Sequence, residues 1–364
     1  MKLFILSDPE SIHTKRWVSS LSDRGIEIFL FGIGKKDDEF YGKCKNTSVF
    51  IMDLDTELRR SSVEKIIYLS SLIKLKKKIK EFQPDILHAH YASSYGLLGA
   101  LTRFHPFIIS VWGSDVYSFP KISFLHKVIL KFNLSKADCL LSTSVKMAEE
   151  TKRYTSHPIA ITPFGVDLGL FKKINIVKQN KEFIIGTVKT LNSIYRIDIL
   201  IKSFNIVLKN NPTLNIKLVI IGDGPDKKKL QLLAQNLGIY DNVHFLGKID
   251  NLLLPEYYNS FSVFVALSDS ESFGVVAVEA MACECPVIAS NADGFTEVIS
   301  DGETGYIVPK RDIEASSVAI QKIIDDSSLG EKLGKNGREK VEKLYDWDKN
   351  VDHMIQIYNT VFSK

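Results

Sequence analysis

Short apolar runs alternate with helical stretches twice along this chain. The alternation breaks once, at Pro163-Phe164-Gly165-Val166-Asp167. An apolar run of about five residues followed by an amphipathic stretch of a dozen or so is the mark of a βαβ unit. Repeating it builds a mostly parallel sheet covered on both faces. In the first half the pattern predicts strands at Lys2–Ser7, Ile26–Phe31, Asp85–His88, Phe107–Val111, Cys139–Ser142 and Ile159–Thr162. Helices are predicted at His13–Asp23, Glu64–Phe82, Ser94–Phe104, Phe124–Leu134 and Val145–Tyr154. After the break and a polar connection through Gln179-Asn180-Lys181, the rhythm restarts with Phe183–Val188, Ile197–Leu208, Ile216–Ile221 and Lys227–Leu237. It continues through Val243–Leu246, Val263–Leu267, Gly274–Ala282, Pro286–Ile288 and Gly305–Val308.

A chain of 364 residues suits two such domains, since single cores rarely grow beyond ~250–300 residues. The expected fold class is α/β, two Rossmann-like doubly wound domains facing across a cleft. The expected division is 1–165, 166–344, and a C-terminal helix at 345–364 returning to the first domain. Tyr345, Trp347, Met354, Ile357 and Tyr358 give that helix its apolar face. Ligands of open α/β sheets bind at the C-terminal ends of the strands, so one domain per substrate would suit an enzyme that joins two.

Hydrophobic content of 45% and charged content of 25% are those of a folded globular protein. No apolar run reaches the ~18 residues of a membrane span. Leu3-Phe4-Ile5-Leu6 ends at Asp8-Pro9 and reads as an opening strand, not a signal peptide. Cys44, Cys139, Cys283 and Cys285 fit neither a disulfide framework nor a metal-ligand spacing. A cytoplasmic location is the expectation. The net charge of +4 hides a basic run, Lys74, Lys76, Lys77, Lys78 and Lys80, interleaved with Leu69, Leu72, Ile73, Leu75 and Ile79. Two readings of this amphipathic helix stand: a solvated outer helix, or peripheral contact with anionic membrane at the inner face of the cell. No nucleic-acid motif accompanies the lysines.

The segment Ser270-Glu271-Ser272-Phe273-Gly274-Val275-Val276-Ala277-Val278-Glu279 carries two carboxylates eight residues apart around a Phe-Gly pair. Gly274 permits close backbone approach, and a helix opening there presents unpaired N–H groups to an anion. A ligand over that N-terminus would meet Glu271 at one end and Glu279 at the other, which suits a sugar nucleotide. Lys189 follows a strand and Arg196 opens a helix, where cations would meet a leaving diphosphate. Gly222-Asp223-Gly224-Pro225 is a strand-to-helix turn, either structural or lining the same pocket. Gly294 and Glu297 lie in another strand-end loop, where Gly294 would extend the wall of the same nucleotide-sugar pocket.

In the first half, Asp85-Ile86-Leu87-His88-Ala89-His90 sends both histidines to one side of a strand end. His90 is a candidate to face the cleft, with a structural role as the alternative. Trp112-Gly113-Ser114-Asp115 closes the next strand, where Asp115 would bind an acceptor hydroxyl or cap a turn. Thr14 and Lys15 open the first helix, where they would touch donor phosphate or serve the cap.

With these residues in view, the chain resembles the retaining glycosyltransferases of family 4, which have the GT-B architecture. The most specific part is Glu271 through Ala282, the family's E-x7-E pattern, followed by Pro286-Val287-Ile288-Ala289-Ser290. Gly222-Asp223-Gly224-Pro225, Phe245-Leu246-Gly247, Asp301-Gly302-Glu303-Thr304-Gly305 and the Pro163–Asp167 linker support it. The resemblance implies a nucleotide-sugar donor, a UDP-hexose or UDP-N-acetylhexosamine, held by the second domain. Glu271 would bind the sugar, Glu279 the ribose, and the backbone at Gly274 and Val275 the sugar or diphosphate, beside Phe273. The first domain, with Trp112 and Asp115, would hold a glycan or lipid-linked glycan acceptor of cell-surface polysaccharide synthesis. No metal or other cofactor is implied, and transfer would proceed with retention.

The chain also departs from the pattern. Val188-Lys189-Thr190-Leu191 and Arg196 stand where Gly-Arg-Leu and a Lys-Gly pair are usual, Glu284 replaces a glycine, and Trp112-Gly113 replaces His-Gly. The N-terminal Gly-Gly loop reads His13-Thr14-Lys15-Arg16. Two other functions fit the broad architecture: a UDP-N-acetylglucosamine 2-epimerase-like enzyme and a non-enzymatic two-lobed sugar-binding protein.

Overall fold

A computed structural model describes residues 1–35, 37–52, 64–175 and 182–363, with the side chains of 64–70 outside that description. The predicted connection at Gln179-Asn180-Lys181 lies outside the described residues, as does the side chain of Leu69. Two compact units divide the chain, Met1–Pro163 with the residues from Lys349 onward, and Phe164–Asp348.

In the first unit the strands are β1 (Lys2–Leu6), β2 (Glu27–Ile33), β3 (Thr47–Met52), β4 (Ile86–His90), β5 (Phe107–Val111), β6 (Cys139–Ser142) and β7 (Ile159–Ile161). They pair in the order β3-β2-β1-β4-β5-β6-β7, every pair parallel. The second unit has β8 (Phe183–Val188), β9 (Ile216–Ile221), β10 (Val243–Gly247), β11 (Val263–Ala266), β12 (Val287–Ser290) and β13 (Tyr306–Val308). Their order is β10-β9-β8-β11-β12-β13, again parallel throughout.

The near-continuous apolar strands follow from helices lying on both sheet faces. All five residues of β5, Phe-Ile-Ile-Ser-Val, are buried, as are all four of β11. Each fully buried large side chain contributes roughly 1.5–3 kcal/mol relative to exposure. The strand β3 escaped the pattern reading because it is a sheet edge, buried only at Met52 and bordered by Lys43–Asn46. Short helices also escaped it, Leu254–Ser260 and Asp293–Val298 among them. At two turns or fewer, neither shows a full helical period.

The units divide at 163/164 and 348/349, slightly displaced from the expected 165/166 and 344/345. The reason is local. Val166 N–H donates to Tyr345 O at 2.7 Å, and Trp347 N–H returns to Val166 O at 3.0 Å. Phe273 packs edge-on against both Phe164 and Tyr345. The linker and the residues before the last helix are therefore held by the second unit. Within the helix Trp347–Phe362, the buried Val351, Met354 and Tyr358 serve the first unit.

Candidate active site

The chain leaves β8 toward β9 on one side and later reaches β11 on the other. The strand order thus reverses between β8 and β11, the point at which open α/β sheets bind ligands. Lys189 follows β8 and Glu271 follows β11, and their side chains form an ion pair. The Lys189 ammonium also lies 4.8 Å from the centre of the Tyr195 ring and 5.7 Å from that of Phe295. Side-chain exposures of 9% and 14% set this pair apart from surface charges. One ammonium donor engages Glu271, leaving two in principle for an incoming anion.

A second charged group adjoins the pair. Asp269, directly upstream on the same loop, takes both donors of Arg311 at 2.9 and 2.8 Å. That bidentate bond holds the Asp269 carboxyl below its ordinary value. Arg196 reaches Asp198 at 3.0 Å and stands 4.0 Å from Asp269. Its Nε is buried with no hydrogen-bond partner among the described residues. Arg196 also adopts a left-handed backbone, φ 51°, as N-cap of the helix Ile197–Asn210. Both predicted cations therefore stand on the one loop that follows β8, and both are already paired with carboxylates.

The helix Val275–Ala282 begins at Gly274, φ 97°. Its first backbone bonds run from Ala277 and Val278 N–H to Gly274 O, at 2.9 and 3.2 Å. The N–H groups of Gly274, Val275 and Val276 therefore precede the hydrogen-bonded ladder. About one turn on, Glu279 is 7% exposed and accepts the Tyr258 hydroxyl at 2.8 Å. Burial first, and then Glu279, push the Tyr258 phenol well above its usual range, so it remains a donor. Phe273 differs from expectation: it is a buried anchor, packed on Phe164 and Tyr345, and not a surface for nucleotide.

The glycines shape this region from behind. Gly222 has φ 133°, and a Cβ there would lie 1.9 Å from Lys189 O. A Cβ on Gly294 would lie 2.5 Å from Phe273 N, and Gly294 N–H donates to Glu271 O at 2.9 Å. Each allows a neighbouring loop to approach the backbone that carries Lys189 or Glu271, which for Gly222 is the structural one of its two readings.

In the first unit the candidates gather at the corresponding reversal, between β1 and β4. His88 is fully buried, its ring nitrogens bonded to Tyr358 Oη and Ser110 Oγ, both at 2.8 Å. His90 lies beside it, bonded to Ser7 Oγ at 3.1 Å and stacked on Trp112 at 4.4 Å. Burial, then the adjacent His88 and His13, hold His90 well below its usual value, so it is neutral. Thr14 is buried and bonds Ser7 Oγ at 2.7 Å, which does not fit contact with donor phosphate. Lys15 is paired with Asp37 at 2.7 Å. Asp115 is fully buried and accepts from the backbone N–H groups of Ala92, Trp112 and Gly113. Its oxygens tie two strand-end loops together, which is the turn-capping reading and not a free acceptor site. A hollow of about 920 Å³ lined by His105, Pro106, His157 and His353 lies at the opposite, N-terminal ends of these strands.

Sequence reasoning passed over Tyr258, Asp269 and Arg311. Asp269 had a signal, since it leaves β11 two residues before Glu271. Tyr258 lies on a helix too short to register, and Arg311 is 42 residues from its partner. Among the described residues no group of three or more His, Cys, Asp or Glu side chains is arranged to hold a metal ion.

Comparison with known proteins places this geometry. Residues 171–340 match the family model for glycosyl transferases group 1, and residues 2–144 match that for glycosyl transferase 4-like proteins. N-acetyl-alpha-D-glucosaminyl L-malate synthase of Bacillus anthracis is 28% identical over 298 residues, covering 76% of this chain and 75% of that protein. The capsular polysaccharide biosynthesis glycosyltransferase CapM of Staphylococcus aureus is 35% identical over 211 residues, 57% of this chain and 53% of CapM. Sucrose-phosphate synthase from Thermosynechococcus elongatus superposes with a TM-score of 0.82 at 23% identity, covering 100% of this chain and 99% of that one. Anabaena HepE in complex with UDP-glucose gives 0.80 at 17% identity, covering 99% and 100%. The chain is a glycosyltransferase of GT-B fold, related to these two glycosyltransferase groups.

Proposed function

We propose that this protein transfers a hexose or N-acetylhexosamine from a UDP-sugar to a glycan or lipid-linked glycan acceptor, with retention and without a metal ion, in the synthesis of a surface polysaccharide. The observation that carries the reading is the Lys189–Glu271 pair at the strand-order reversal, beside a helix N-terminus with Glu279 about one turn inside it. In the transfer, an acceptor hydroxyl oxygen bonds to the anomeric carbon as the bond to the diphosphate oxygen breaks, and the hydroxyl proton passes to that departing oxygen. Negative charge grows on the diphosphate. Lys189, Arg196 and the N–H groups ahead of the Val275–Ala282 helix would meet that charge. Glu271 would accept hydroxyls of the moving sugar, and Glu279, steadied by Tyr258, those of the ribose. The capsular assignment of CapM supports a polysaccharide product. HepE, at 17% identity, supports the architecture alone.

The test is a donor screen. UDP- and GDP-sugars are offered with free and lipid-linked glycans, with and without EDTA. Turnover of a UDP-sugar that survives EDTA, with the anomeric configuration kept, is the expected result. Failure of every nucleotide sugar to bind or turn over would end the transferase reading. Activity lost to EDTA and restored by Mn²⁺ would end the metal-free one.

A further inference from the structure

The helix Phe124–Ser135 has two apolar faces. One is spent on the core: Leu130, Asn133 and Leu134 are fully buried, and Asn133 donates to Ala92 O at 2.8 Å. At ~100° per residue the opposite face carries Phe124, Leu125, Val128 and Phe132. These are 81%, 63%, 43% and 39% exposed, and Ile122, just before the helix, is 65% exposed. Large apolar side chains clustered on one exposed face mark a surface that is covered in use.

The charge around that face chooses its cover. From Val116 to Ala137 the chain has Lys121, Lys127, Lys131 and Lys136 and no aspartate or glutamate. On the helical wheel Lys127 and Lys131 flank the apolar stripe on one side and Lys136 on the other. Lys131 also lines a surface hollow with Lys152 and Arg153, which extends the basic rim. Among the described residues Glu150 meets this edge, 3.9 Å from Lys121 and paired with Arg153 at 2.8 Å, which leaves Lys131 and Lys152 as the charges of that rim. An apolar stripe with aromatic residues between lysine flanks is the composition of a helix lying in the headgroup layer of an anionic bilayer.

The lysine-rich helix Glu64–Phe82 is the obvious rival, and its described side chains argue against it. Leu75 and Ile79 are buried in the core, so its apolar stripe is used internally. Lys77 and Lys78 lean on Glu81, at 3.9 and 2.8 Å. Of its described large apolar side chains, Ile73 alone is prominently exposed. That helix offers charge with little to insert; the other offers both.

We infer that the face Ile122, Phe124, Leu125, Val128 and Phe132, with its lysine flanks, docks this protein on the surface of an anionic lipid bilayer. The inference gains its purpose from the proposed lipid-linked acceptor, but the docking needs no sugar.

Flotation of the full chain with phosphatidylcholine vesicles, with and without phosphatidylglycerol, tests it. Wild type is expected to float with the anionic vesicles. Phe124→Ser with Leu125→Ser should reduce the floated fraction about tenfold or more. Lys127→Gln, Lys131→Gln and Lys136→Gln together should weaken binding and flatten its salt dependence. All five side chains are exposed, and a thermal melt checks that each variant folds. Wild type that stays at the bottom, or variants that float as well as wild type, would overturn the inference. So would loss of flotation confined to glutamine variants of Lys74, Lys76, Lys77, Lys78 and Lys80. Vesicle-independent dimers that the serine variants dissociate would assign the face to a second copy instead. Calorimetry with UDP in solution is read separately: its failure counts against the transferase reading and leaves the docking result standing.

Discussion

Lys189 and Glu271, 82 residues apart in the chain, meet as a largely buried ion pair in the loops that follow the two strands flanking the reversal of strand order. Each partner keeps the other from being a lone buried charge. Glu271→Gln and Lys189→Met should each lower kcat by about 10²–10³-fold if both act on the transition state. Because they touch, the double variant should lose far less than the product of the two. Steady-state kinetics of the four proteins decides it. Strictly multiplicative losses would show that the pair acts as two independent groups.

Glu279 and Tyr258 form the second linked pair. Glu279→Gln should weaken UDP binding by roughly tenfold, since a charge-assisted acceptor becomes a neutral amide. Tyr258→Phe leaves the buried carboxylate without that donor and should cost ~1–3 kcal/mol of stability. Its UDP affinity should fall as well, by less than in the Glu279 variant. Calorimetry and urea unfolding on the same samples separate the two effects.

The backbone makes sharper demands. Gly222→Ala places a Cβ against Lys189 O at a φ of 133°, and should cost more than about 3 kcal/mol while displacing Lys189. Gly238→Ala, φ 70° with nothing within 4 Å, should cost only ~1–2 kcal/mol. Glu284, where the family pattern has glycine, sits at φ 56°. Glu284→Gly should therefore gain up to about 1 kcal/mol. Denaturant midpoints rank the three.

Acid should destabilise the first unit through its histidines. Burial depresses His88 to about 3 in the folded state, against 6.5 when unfolded. The unfolded chain therefore binds the proton first. Stability from this site is complete above 6.5 and declines as pH falls, by ~1.4 kcal/mol per pH unit, until about 3. His90 is depressed by burial in the same sense, whereas the buried Asp115, raised by burial, opposes it. Melting temperatures from pH 7 to 4.5 should fall, and more gently in His88→Gln. An identical slope in wild type and variant would remove His88 from the account.

Much of the fold was legible because parallel strands covered on both sides must be apolar along their length. Phe107–Val111, Cys139–Ser142, Phe183–Val188 and Ile216–Ile221 coincide with their predicted bounds for that reason. Glu271 and Glu279 were legible as charges interrupting an apolar stretch, and Lys189 as a cation at the end of a strand. What stayed hidden was pairing over distance. Nothing near Lys189 in sequence announces Glu271, nor near Asp269 its Arg311. Nor does alternation along Ile86–His90 reveal that His88 is sealed by a tyrosine 270 residues later.

That last bond bears on how the protein comes into being. The second unit is continuous from Phe164 to Asp348 and can close as soon as its own residues are made. The first unit cannot. Through all that interval His88 waits for the hydroxyl of Tyr358, and the core of its unit for Val351 and Met354. On the ribosome, the portion made first is the portion completed last. Its core lacks the last helix for the whole time that the second unit takes to emerge.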